Sequence, residues 1–153
     1  TAELCVKYGK PYVTIDCKHD SYVHQHSAVN VVSRESIKSY LYPEDSMEEI
    51  YEKLTETTEG LVIITSGEHD MLYGRKGQPV KRMKPFSVEV KSTLGAGDTF
   101  KAGCVYGLLH GMKDDELVRF ASACSAIAIS RFPLPLNPPK MGEVEALVET
   151  ARW

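Results

Sequence analysis

With 153 residues, 42% of them hydrophobic and 25% charged, the chain has an ordinary globular composition and can bury one sizeable core. A net charge of −3 argues against generic affinity for nucleic acid, which needs a basic excess, and no apolar run approaches the roughly 20 residues of a membrane span. No secretory leader is visible, and Cys5, Cys17, Cys104 and Cys124 show neither close pairing nor zinc-type spacing, so the expectation is a cytoplasmic enzyme with reduced, mostly buried thiols.

Thr1 to Gly9 reads as the tail of a helix, with Ala2, Cys5 and Val6 apolar, leading through Gly9-Lys10-Pro11 into a strand. Tyr12 to Asp16, Ala28 to Val32 and Leu61 to Thr65 are short apolar runs of the kind that parallel strands buried on both faces require. Between them, Arg34 to Leu41 and Met47 to Thr55 read as helices. The second is announced by Ser46 with Glu49 three residues later, a capping-box pattern. His69 to Tyr73 and Gln78 to Pro85 fit a hairpin around Gly74-Arg75-Lys76-Gly77. From Ala96 onward the pattern is mostly helical, broken by Pro133-Leu134-Pro135-Leu136-Asn137-Pro138-Pro139, which reads as an extended connection before a closing helix, Met141 to Ala151. Alternating strands and amphipathic helices predict one α/β domain over residues 1–153.

Several features invite a functional reading that the bland one outweighs. The acidic stretch Glu44 to Glu59 reads as a solvated helix face, and Arg75, Lys76, Lys81, Arg82 and Lys84 as residues that keep an exposed hairpin soluble. His24-Gln25-His26 reads as a polar loop. With no carboxylate or cysteine close by, it is not expected to hold a metal.

The chemistry concentrates in Ser92-Thr93-Leu94-Gly95-Ala96-Gly97-Asp98-Thr99-Phe100, a small-residue turn that opens into the apolar run Phe100, Cys104, Val105, Leu108, Leu109. Two glycines around an alanine let the backbone turn tightly at a helix start, where unpaired amide hydrogens and the positive end of the dipole meet. Such a spot binds an anion. Asp98 falls in the first helical turn, placed to take a proton from a nucleophile attacking that anion.

The longer string Thr93-x-Gly95-Ala96-Gly97-Asp98-Thr99-Phe100, followed by Gly103 and by Gly107-Leu108-Leu109-His110-Gly111, closely resembles the C-terminal signature of the ribokinase-like (PfkB) carbohydrate and nucleoside kinases. Leu61 to His69 resembles the family's buried strand and nucleotide-side turn, a Thr-x-Gly-x-x-Gly string, and Leu117 to Ala128 is similar to its alanine-rich segment beside the nucleotide. The resemblance implies a three-layer α/β/α sandwich. It also implies an ATP-dependent kinase of a sugar or sugar-like small molecule, in a family compatible with homodimers. Asp98 would be the base that deprotonates the acceptor hydroxyl, and the amides of Gly95, Ala96, Gly97 and Asp98 would form the anion hole. Thr65 and Gly67 would lie along the nucleotide, and Ser122 beside the adenine. Magnesium would arrive largely with the nucleotide phosphates.

The chain also departs from the family pattern. Ser92 stands where the family usually has the aspartate that helps hold a monovalent cation, which argues against potassium activation, and Asp70 replaces the second glycine of the nucleotide turn. The family's Asn-x-x-Glu motif, associated with magnesium and phosphate, is absent near Val31 to Ser36. Either Ser33 and Ser36 replace its polar residues, or Arg34 and Glu35 take over in a shifted register. Members of the family are longer, with acceptor-binding residues and a β-sheet lid in the N-terminal half. The chain is therefore expected to be a C-terminal portion, inactive alone for want of an acceptor pocket. The alternative is a nucleotide-binding module without catalysis.

Overall fold

The computed structural model describes residues 1–133 and 136–150. The chain divides into two compact units, Thr1–Lys84 and Pro85–Trp153.

The first unit runs α1 (Ala2–Lys7), β1 (Val13–Ile15), α2 (Tyr22–Gln25), β2 (Val29–Ser33), α3 (Arg34–Ser36), α4 (Met47–Glu56), β3 (Leu61–Thr65), β4 (Met71–Gly74) and β5 (Lys81–Met83). Its five strands form one sheet in sequential order. β1, β2 and β3 are parallel, with Val31 opposite both Ile15 and Ile63, and β4 and β5 return antiparallel as the expected hairpin. Four of the five positions in both β2 and β3 are buried. Their uninterrupted apolar runs are therefore the signature of two-sided burial rather than of alternation. One set of alternate residues, Val32, Val62, Ile64 and Leu72, joins Ile37, Leu41, Ile50 and Leu54 in a common core.

Local signals explain most boundaries. The capping box forms as read: the Ser46 amide donates to Glu49 Oε2 at 2.8 Å and the Glu49 amide to Ser46 Oγ at 3.2 Å, leaving Ile50 and Leu54 one turn apart on the buried face. Gly60 is required by space, since a Cβ there would lie 2.2 Å from the Ser27 carbonyl oxygen. β1 stops at Ile15 because Asp16 turns to φ +50°. Arg34 to Leu41 is not one α-helix. After α3 the backbone widens into a π-helical turn over Ile37–Leu41, and the Tyr42 amide reaches the Ile37 carbonyl at 2.9 Å.

The reading of His24-Gln25-His26 as a polar loop is corrected. These residues close a short helix capped by Ser21, and the His24 ring is fully buried. Nε2 donates to the Leu54 carbonyl at 2.9 Å, which offsets part of the desolvation that pushes the imidazole below its ordinary value.

The second unit is helical: α5 (Ala96–Leu109), α6 (Asp114–Ile129) and α7 (Met141–Thr150). The alanine-rich surface of α6 lets α5 approach closely. A Cβ on Gly103 would come within 2.7 Å of Ala121 Cα. α7 adds Val144 to a core with Phe120, Ala123, Cys124 and Ile127. In the proline-rich connection a turn joins the Leu136 amide to Pro133 O at 3.3 Å, while Leu134 and Pro135, like Ala151, lie outside the described residues. All four thiols are free. Cys104 and Cys124 are buried, which pushes Cys104 far up and Cys124 up to about 11. Cys5 and Cys17 are half-buried rather than buried. Among the described residues no helix is long and apolar enough to cross a membrane.

Candidate active site

The start of α5 is built by the turn that precedes it. Lys91 and Ser92 both donate their amides to the Ile129 carbonyl at the end of α6, at 2.8 and 3.1 Å. Ser92 Oγ then accepts the Leu94 amide at 3.3 Å. The chain reverses through Gly95 at φ +79°, a left-handed conformation that glycine adopts without penalty. Gly95 is the N-cap and has no side chain to close it. Its carbonyl accepts the amide and the hydroxyl of Thr99, at 2.9 and 2.8 Å. From α6, Ser125 Oγ donates to the Ala96 carbonyl at 3.1 Å, fixing the first residue of the helix.

This wiring decides which amides are open. The Ala96 N–H turns back to the Thr93 carbonyl at 3.2 Å, so it is committed to the turn. Among the described residues, Gly95, Gly97 and Asp98 keep amides without a partner, and the helix dipole adds positive potential at the same point. Asp98 is 81% exposed on its side chain, and its Oδ1 lies 3.4 Å from Lys101 Nζ. An accessible carboxylate and open amides thus share one helical turn. Of the alanine-rich segment, Ser122 is only 4% exposed and offers a ligand little surface. Ser125, one turn later, is the serine that touches the candidate site. The Ser122-x-x-Ser125 spacing was the available signal, since residues three apart share a helix face.

In the first unit, the carboxyl ends of parallel β1, β2 and β3 carry a second set of polar residues, the edge where sheets of this type place ligands. Thr65 ends β3 opposite Ser33, and Gly67 follows at φ +62° in a turn closed by the His69 amide on Ser66 O at 3.1 Å. Ser33 and Ser36 are the pair that meet. Ser33 Oγ accepts the Ser36 amide at 3.1 Å and lies 2.7 Å from Ser36 Oγ, while Arg34 and Glu35 are exposed. Asp16 Oδ1 accepts the Ser33 amide at 2.8 Å and its hydroxyl at 3.2 Å. Among the described residues no three His, Cys, Asp or Glu side chains cluster to hold a metal.

The pfkB family of carbohydrate kinases has a model that matches residues 25–136. The chain belongs to this family. Over 106 residues it is 28% identical to a ribokinase of Lactococcus lactis subsp. lactis (strain IL1403), covering 69% of this chain and 34% of that protein. Over 91 residues it is 33% identical to a 5-dehydro-2-deoxygluconokinase of Bacillus thuringiensis (strain Al Hakam), covering 60% of this chain and 27% of that one. Among solved structures, Arabidopsis thaliana ribokinase complexed with ribose and ATP matches with a TM-score of 0.81 and 18% identity, over 97% of this chain and 50% of that chain. This pfkB-family chain therefore has the ribokinase-like fold, and it spans about a third or less of the curated relatives and half of the solved one.

Proposed function

We propose that the protein to which this chain belongs transfers the terminal phosphoryl group of ATP to a hydroxyl of a sugar or sugar-like molecule. The observation that carries this reading is the start of α5, where the open amides of Gly95, Gly97 and Asp98 stand beside an exposed carboxylate. Phosphoryl transfer asks for positioning, for stabilisation of charge on the phosphoryl oxygens and for a proton acceptor near the nucleophile. The amides supply the second and Asp98 the third. As the acceptor oxygen forms its bond to phosphorus and the bond to the ADP oxygen breaks, the acceptor proton passes to the Asp98 carboxylate. The Ala96 amide is left to hold the turn.

Thr65 and Gly67 are proposed along the nucleotide, supported by their position at the carboxyl end of β3 and by the family resemblance. Ser122 is a weaker contact near the adenine, given its burial. Magnesium, bound with the nucleotide, supplies charge neutralisation on the phosphates. Ser92 stands where the family usually has the aspartate that helps hold a monovalent cation, which argues against potassium activation.

A second reading, a nucleotide-binding module without catalysis, is favoured by one observation: Ser33 closes on Ser36 and on Asp16, which in the register that pairs Ser33 with Ser36 leaves a hydroxyl where the family motif has its glutamate. Steady-state phosphorylation by the intact protein separates the two. Asp98→Asn is nearly isosteric and still compatible with a helix start, so fold and ATP affinity should persist while turnover falls by about 10²-fold or more. Near-normal turnover would remove Asp98 from the chemistry and favour the second reading.

A further inference from the structure

The one other charge on α5 lies beside the base. Of the 14 residues of this helix only Asp98 and Lys101 are charged, and Lys101 Nζ lies 3.4 Å from Asp98 Oδ1. As a surface ion pair three residues apart, the contact contributes little to helix stability, and a cation gains nothing from the positive end of a helix. Its placement makes sense toward a phosphate. An anion held by the open amides brings negative charge close to the Asp98 carboxylate, and the two repel unless a cation stands between them.

We propose that Lys101 is a ligand of the transferred phosphoryl group, an inference that rests on the kinase reading above. The Lys101 side chain is 36% exposed, against 81% for Asp98. Its four-carbon stem is thus partly packed while its ammonium remains free to swing, with three donors to share. With ATP bound, the ammonium passes from Asp98 Oδ1 to a non-bridging oxygen of the terminal phosphate. This offsets the charge on the phosphoryl group and releases a lone pair of Asp98 for the acceptor proton. Lys101 stays protonated throughout, and no bond to it forms or breaks.

The test compares ATP with ADP, in the presence of magnesium, because only ATP carries the group Lys101 would hold. Calorimetric titration of the intact protein as wild type, Lys101→Met and Lys101→Arg should show the Met variant losing about tenfold in ATP affinity, the weight of one charge-assisted contact. Its ADP affinity should stay within about twofold of wild type, and the Arg variant should keep ATP affinity within about threefold. In turnover, kcat should fall more than KM rises for Lys101→Met, because the contact strengthens as charge shifts in the transition state. Circular dichroism checks the helix, and Lys101→Gln is read instead if the Met variant loses its fold. An unchanged preference for ATP over ADP in the Met variant overturns this inference and leaves the Asp98 reading standing. Wild-type protein that binds no ATP overturns both.

Discussion

Two helix starts in this chain solve the same electrostatic problem in opposite ways. α4 begins at Ser46 with its amides closed by the Ser46 and Glu49 side chains, whereas α5 begins at Gly95 with no side-chain cap. Relative to glycine, a serine or aspartate cap contributes only about a few tenths of a kcal/mol, and at φ +79° either would be strained by the left-handed backbone, so the open start costs the fold little. α6 makes the contrast sharper. The backbone amide of Lys113 is held by Glu116 at 3.0 Å although Lys113 itself supplies no side-chain cap, whereas α5 has neither contact. On the function proposed above, the unsealed start keeps its donors for a ligand, while α4 commits its own to the fold.

The largest effect belongs to Asp98→Asn in the intact protein, where turnover should drop by about 10²-fold or more at unchanged thermal stability. Gly97→Val comes next. A branched side chain among the open amides should lower ATP affinity roughly tenfold while helical circular dichroism persists; unchanged affinity in a folded variant would make the α5 start purely structural. In NMR titration with ATP, the amides of Gly95, Gly97 and Asp98 should shift more than that of Ala96, whose hydrogen is already bound to Thr93.

Ser46→Ala tests the sealed helix. It should cost about 1 kcal/mol in urea unfolding and leave ATP affinity alone. Loss of nucleotide binding in that variant would show that the two starts do not divide their roles as described. The smallest expected effect is on pH dependence, and it arises from the capped α2. The buried His24 imidazole has its pKa lowered from 6.5, chiefly by desolvation. Its folded value lies below its unfolded one, so the unfolded chain takes up the proton first. The stability this group contributes is therefore full above about pH 6.5 and is lost as pH falls below it. Urea midpoints across that range should decline for wild type and decline less for His24→Gln.

What the sequence revealed follows from how local each cause is. Ser46 and Glu49 announce α4 because both partners lie within four residues, and the runs at β2 and β3 announce buried strands because apolar length alone suffices. The open turn at Gly95 was legible for the same reason. His24 was misread because its partner, the Leu54 carbonyl, is 30 residues away, and nothing in His24-Gln25-His26 distinguishes the buried histidine from the exposed one. The commitment of the Ala96 amide depends on a backbone path that no spacing rule encodes, and the bond from Ser125 shows in the sequence only as a second serine three residues after Ser122. The π-helical turn at Ile37–Leu41 gave no warning, since its apolar residues fit an ordinary helix equally well.

The contact of Gly103 with Ala121 has a mechanical meaning for Asp98. It acts like a key in a slot, setting the rotational phase of α5. Asp98 precedes that key by five residues, which on a regular helix is about 7.5 Å along the axis and about 140° around it. Inserting a single residue between them would swing the carboxylate by about 100° while leaving every local signal of the turn intact. The interval between Asp98 and Gly103 is thus as much a part of the proposed site as Asp98 itself, and its length should tolerate no change.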